Sequence, residues 1–442
     1  MKRSLWLRRT AAVTALALAV AACGGDDGGD EPTDDGTEEP TDDDGTEEPT
    51  DDDGEEPTAE GDGTLQLGYI LPESGPLAFL GPPQIEAVNL AVADINAAGG
   101  VLGNDVTVST GDEAGDAAIA SENASQLISE GVDAIVGAAA SGMSLAFVEA
   151  VTSAGILQCS ASNTAPTFSG NDYSGLYTRT APTDALQGPV LAEAIIGDGY
   201  QNVAVLARAD DYGQGLLDAA VEALEGSGAT VVFSETYDPE AQTFSAEVDE
   251  VANANPDAVA LISFEEGGQI LAAMIEAGLG PQDIGVYGAD GTAGDDFVAA
   301  VGGDESAVEG MRGTRPASES APDFLTRFTE ETGVEDTTYA PQAYDCVMIM
   351  ALAAELAGSD AGSAIAGEMV NVTSTGGTEC GDFAACKEAI DAGEDITYTG
   401  ASGVVLTETD AGNLEPESGT YEIWTFDAEG NLQSDETVES NF

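Results

Sequence analysis

Residues 65–100 read LQLGYILPESGPLAFLGPPQIEAVNLAVADINAAGG, and their spacing decides the fold class. Residues 65–71 are a short apolar run of strand length. After a loop of Ser, Gly and Pro, the residues Ile85, Val88, Val92 and Ile95 recur at helical spacing, and Gly99-Gly100 stops the helix. Working outward, Val106-Thr107-Val108 is the next strand and a helix follows over 117–130. Ala134-Ile135-Val136-Gly137 is a buried strand that opens onto Ser141, with a helix expected from Met143 to Val151. A second series starts after Thr180: helix 185–196, strand 203–206, helix 214–226, strand 231–233, helix 243–253 and strand 258–262. Strands separated by helices of about 10–15 residues imply βαβ units, whose parallel sheets are covered on both faces. The reading is an α/β chain with two doubly wound parallel-sheet lobes.

The composition narrows the function. The chain has 442 residues, with 83 acidic residues against 10 Lys plus Arg, no His and five Cys, for a net charge of −73. That length suits two domains, and a 42% hydrophobic share supplies their cores. Without His, no Ser-His-Asp triad, Cys-His pair or His-ligated metal site can form. A nucleic-acid surface needs clustered Lys and Arg, which this chain lacks. Its only lysines, Lys2 and Lys387, belong to no GxxxxGK[ST] phosphate loop.

The first 22 residues read as an export signal: a basic stretch from Lys2 to Arg9, then an apolar run over 11–22 too short to span a bilayer. The run ends Val20-Ala21-Ala22-Cys23, which resembles the lipobox of bacterial lipoproteins, with Cys23 as the lipidated residue. Residues 24–63 repeat EPTDDDGTE-like units and hold 20 acidic residues without an aromatic. Such a segment buries too little apolar surface to offset ordering entropy, so it is expected to be a disordered tether. As a charged coil it spans at least ~35 Å. The expected location is the outer face of the cytoplasmic membrane, with membrane contact through the lipid alone.

In doubly wound sheets, ligands sit at the carboxyl ends of strands. The loops to inspect are therefore 72–82, 138–144, 160–166, 208–215, 263–268 and 289–293. They carry Ser, Thr, Gly, aromatics and acids, with no general acid and base paired to a nucleophile. That inventory suits binding, so no enzyme activity, catalytic residue, cofactor or metal is expected.

These loops resemble the leucine/isoleucine/valine-binding proteins, the type I solute-binding components of branched-chain amino-acid ABC importers. The resemblance rests on Ser74-Gly75-Pro76 with Gly81, on residues 91–100, and on Gly155-Ile156-Leu157 leading to Thr164-Ala165-Pro166. Arg179-Thr180, Gln187-Gly188, Tyr212-Gly213-Gln214-Gly215 and Tyr344-Asp345 follow in order, so it covers roughly 64–442. It implies two discontinuous lobes joined by three crossovers, with residues 64–182 plus 316–419 in the N-terminal lobe and 183–315 plus 420–442 in the C-terminal lobe. It also implies a small amino acid, aliphatic or branched-chain, as ligand, and ABC permease and ATPase subunits as partners.

Carried over residue by residue, Ser141 contacts the ligand α-carboxylate. Ser162 and Thr164 hold the α-carboxylate and α-ammonium. Tyr212 closes on the ligand from the second lobe, and Asp290 pairs with the α-ammonium, a charge-assisted contact. Phe264 fills a second aromatic position, Tyr339 falls on a pocket-lining position by spacing, and Leu80 stands where the family often has an aromatic. Glu265 and Glu266 are within reach of a basic or polar substituent. Two other readings stay open: the same fold holding an amide, urea or small aromatic acid, and a sensory lipoprotein that signals without transport.

Beyond Cys23, Cys380 and Cys386 close a short loop and are expected to form a local disulfide in an oxidising exterior. Cys159 and Cys346 either form a second bridge or pack as free thiols in apolar runs. Four Cys at these spacings make no pair of metal knuckles. Residues 64–442 retain 63 acidic against 6 basic residues. Such a domain repels itself where screening is weak. Its melting temperature is therefore expected to rise from low to molar salt, and a fall over that range would refute a halophilic adaptation.

Overall fold

The computed structural model describes residues 61–317 and 322–441. The export signal, Cys23 and all but the last residues of the acidic tether lie outside the described residues.

Ten strands come first in chain order: β1 (Gln66–Leu71), β2 (Thr107–Asp112), β3 (Ala134–Gly137), β4 (Leu157–Ser160), β5 (Tyr177–Arg179), β6 (Asn202–Arg208), β7 (Thr230–Tyr237), β8 (Ala258–Ile262), β9 (Gly285–Gly288) and β10 (Arg312–Pro316). After them come β11 (Thr378–Cys380), β12 (Ile396–Tyr398), β13 (Leu406–Glu408), β14 (Leu414–Pro416), β15 (Ser418–Phe426) and β16 (Leu432–Asn441). They build two seven-stranded sheets, ordered β13-β14-β5-β4-β3-β1-β2 and β16-β15-β10-β9-β8-β6-β7, and a small β11-β12 pair. The chain thus passes between the large sheets three times: after β5, after β10 and after β14.

Both sheets are parallel from β2 to β14 and from β7 to β10, as strands joined through helices require. Each ends in antiparallel strands: β13 on β14, and β15 on β10 followed by β16. The exposed edge strand β16 carries Asp435, Glu436 and Glu439, charges that discourage further strand pairing.

Local chemistry sets the helix ends. Asp116 caps the helix Ala117–Glu130 by accepting from the amides of Ala118 (2.8 Å) and Ile119 (3.1 Å), and Gly131 ends it at φ +80°. The helix Ala340–Ala357 is apolar on nearly all sides because it is buried between the first sheet and the helices Gly81–Ala97 and Gly362–Thr373. The helix expected from Met143 to Val151 is broken into Ser141–Leu145 and Val148–Ser153. The break lets consecutive residues serve different cores: Phe147 packs with Ile70 and Val151, and Val148 with Ala165 and Phe168.

Two disulfides are present. Cys159 of β4 is bridged to Cys346 of the helix Ala340–Ala357, with Cα atoms 6.0 Å apart and a sequence separation of 187. Cys380 is bridged to Cys386 across the turn after β11, at 5.2 Å. All six basic residues among the described residues are ion-paired: Arg179, Arg208, Arg312, Arg315, Arg327 and Lys387. The large acidic surplus therefore has no basic counterpart within the fold.

Candidate functional site

The carboxyl ends of β3 and β4 in the first sheet face those of β6, β8 and β9 in the second. In the first lobe the loops after β3 and β4 are laced together. Ser160 Oγ donates to the Ala138 carbonyl (2.8 Å) and accepts from the amides of Asn163 (3.0 Å) and Ser162 (3.3 Å). Asn163 Nδ2 donates to the carbonyls of Ala138 and Ala139. Ser162 Oγ lies 3.1 Å from the Ala139 carbonyl and 3.2 Å from Gln84 Oε1, and Ser141 Oγ accepts from the Ala165 amide at 3.3 Å. Ser141 begins a helix of only five residues, Ser141–Leu145.

Two residues hold these loops from behind. Arg179, fully buried, pairs with Glu415 and donates to the carbonyls of Ala165 (2.9 Å) and Asn163 (3.2 Å), which fixes the strip bearing Thr164. Glu113, also fully buried, accepts from the amides of Ala139 (2.6 Å) and Ala140 (3.3 Å). Burial pushes its carboxyl up to about 8, against the lowering effect of those two amides.

Asp290 follows β9 and is buried. Its carboxylate accepts from Tyr212 (3.0 Å), Tyr339 (2.9 Å) and Gln187 (3.2 Å). Burial raises its carboxyl above the usual range, and these three donors oppose the rise. Asp184, fully buried at the start of the helix Asp184–Gly197, is raised well above the usual range by burial and then by the charge of Asp290. Tyr339 sits at φ +61°, a left-handed conformation that a tyrosine adopts only when its surroundings impose it. The ring of Tyr212 stacks on Phe264 with centroids 5.3 Å apart.

The structure brings Leu80, Ser141, Ser162, Thr164, Tyr212, Phe264, Asp290 and Tyr339 around one narrow cavity of about 10 Å³. Leu77, Ala139, Ala140 and Gly291 complete its wall. The lobes meet through glycines beside it. A Cβ on Gly215 would lie 2.5 Å from Pro166, and one on Gly294 would lie 3.0 Å from the Phe79 ring. Glu265 and Glu266 do not line the cavity. Glu266 is bonded to Arg208 (2.7 Å) and to the Tyr237 hydroxyl (2.9 Å), and Glu265 faces a separate outer cavity.

Sequence reasoning missed Arg208, Asp184, Gln187 and Glu113 as parts of the site. One signal existed for Arg208: it is one of six basic residues in the folded part, and it ends a strand. Chemically, the cavity offers a buried carboxylate, three hydroxyl-bearing residues on the facing loops, and apolar walls. Among the described residues no cluster of metal-ligating side chains occurs.

Residues 64–393 match the family described as periplasmic binding protein. The chain is 30% identical over 381 residues to the Halobacterium salinarum chemotactic signal transduction system substrate-binding protein BasB, covering 80% of this chain and 85% of that one. It is 32% identical over 217 residues to the Escherichia coli Leu/Ile/Val-binding protein, a match spanning 49% of this chain and 59% of that protein. In fold it is similar to the branched-chain amino acid transporter substrate-binding protein LivJ of Streptococcus pneumoniae, solved with isoleucine. The TM-score there is 0.69 at 23% identity, over 85% of this chain and 99% of the other. Two parallel-sheet lobes with a cavity between their strand ends, and a family match over most of the folded chain, lead to one conclusion: this chain belongs to the periplasmic binding protein family, with the type I fold.

Proposed function

We propose that the protein is a lipid-anchored, extracytoplasmic receptor that binds a small aliphatic amino acid between its lobes and delivers it to an ABC importer. The observation that carries this reading is Asp290, a buried carboxylate aimed at a small cavity that has hydroxyl groups on one side and apolar walls on the other. A second buried acid, Asp184, raises the cost of negative charge there, so a ligand bringing an ammonium is favoured over a neutral one. Ser141 receives the α-carboxylate, and Ser162 and Thr164 hold the α-carboxylate and the ammonium. Tyr212 closes from the second lobe, and Leu80, Phe264 and Tyr339 enclose the side chain. The lobes are assigned to 64–182 plus 316–419 and to 183–315 plus 420–442. Cys23 carries the lipid, the acidic segment is the tether, and the protein catalyses no reaction.

A sensory role is the second reading, favoured by the likeness to a substrate-binding protein of a chemotactic system. Calorimetry at high salt, with leucine, isoleucine and valine beside amides, urea and small aromatic acids, tests the ligand. Tight binding of an amino acid is expected. Binding only to another class of solute overturns the assignment.

A further inference from the structure

Phe264, Leu77 and Ala140 line two cavities at once: the inner one beside Asp290 and an outer one of about 420 Å³ that opens to solvent. These three residues are the partition between them. Phe264 is its one aromatic side chain, and it is held in an unusual way. The guanidinium of Arg208 lies 3.5 Å from the centroid of its ring, close enough for a cation–π contact. Arg208 is itself fixed by Asp210 through Nε and by Glu266 through Nη1. Glu266 also accepts from the Phe264 amide (3.3 Å) and from the Tyr237 hydroxyl, so one carboxylate ties the backbone of Phe264 to the group gripping its ring. Gly213 makes room for this arrangement: a Cβ there would lie 2.6 Å from Arg208 Cγ. With Tyr212 stacked on the same ring, Phe264 has little freedom to turn.

We infer that Arg208 is a positioning residue that sets ligand length, because it clamps Phe264 across the passage from the inner cavity to the outer one. The clamp keeps the ligand's side chain short and apolar. Released, the ring turns aside and the outer cavity admits a longer side chain. This rests on the amino-acid reading of the site and deepens it: the accepted class is amino acids with short, uncharged, aliphatic side chains.

The test is calorimetry with valine, leucine, methionine and phenylalanine on the parent protein, Arg208→Met, Phe264→Ala and the double variant. The parent is expected to prefer the short members. Arg208→Met is expected to move the ratio of phenylalanine to valine affinity toward phenylalanine by roughly tenfold or more, the scale on which a pocket discriminates one or two carbons. In the Phe264→Ala background the Arg208 substitution is expected to move the ratio no further. A purely structural role would weaken all ligands equally and leave the ratio alone. If Arg208→Met does not fold, Arg208→Lys keeps the charge and loses the planar stack, and it is expected to move the ratio in the same direction. An unmoved ratio, or an equal shift with and without Phe264, overturns the proposal while leaving the amino-acid reading standing. A parent protein that binds none of the four overturns both.

Discussion

Asp290→Asn is expected to bind aliphatic amino acids at least ~100-fold more weakly than the parent, without loss of folding stability. The substitution keeps the shape and removes the charge. Breaking a buried charge pair by removing one partner costs about 3–5 kcal/mol, equivalent to roughly two to three and a half orders of magnitude in affinity. With the amide oxygen in the Oδ1 position, Tyr212 and Gln187 keep their acceptor, and the Tyr339 hydroxyl turns to accept from the Asn amide N–H. Stability has the opposite sign. Burial raises the Asp290 carboxyl, so ionising it in the folded protein is unfavourable, and a neutral isostere removes that burden. The melting temperature without ligand is therefore expected to hold or rise while binding collapses. Calorimetry and thermal unfolding on the same preparation separate the two effects. Affinity within threefold of the parent would mean that Asp290 does not face the ammonium. A companion Asp290→Ala protein is expected to lose amino acids yet retain any neutral amide that binds the parent.

The second large effect concerns stability alone. Replacing Cys159 and Cys346 together with Ser is expected to cost about 2–5 kcal/mol, because the bridge closes a long loop and restricts the unfolded chain strongly. For lobes of this size that corresponds to a fall of roughly 5–15 °C in melting temperature. The bridge joins β4 to a helix that reaches the first lobe only after the chain has traversed the second. Opening the Cys380–Cys386 loop, with a separation of 6, is expected to cost less. Unfolding of both variants beside the parent checks the order. A Cys159→Ser, Cys346→Ser protein melting within a degree or two of the parent would refute it.

How much was legible in the sequence follows from where each signal lies. Parallel strands buried on both faces leave apolar runs such as Ala258 to Ile262, and the helices between them carry a helical period, so the alternation could be read directly. The closing strands could not. β13 and β14 have three residues each, and β16 is polar and exposed, so none shows an apolar run. The break after Leu145 was hidden because its cause is two separate cores on either side of the chain. In the site, residues at strand ends were legible because topology fixes that location, whereas their supports were not. Glu113 acts through the amides of a different strand's loop, and Gln187 through a carboxylate 103 positions away. A solvated acid and a buried one look alike in a chain with 83 of them.

The threefold passage between sheets also governs when the molecule can exist. β5 needs β14 beside it, and β10 needs β15, so neither sheet closes until residues beyond 414 are available. The first lobe's core likewise waits for the helix Ala340–Ala357. A chain made from its N-terminus therefore emerges with two half-built lobes, both exposing apolar surface, and completes them almost together at the end. Truncations that remove residues from 414 onward should consequently damage both lobes at once, although they take only the last stretch of the path.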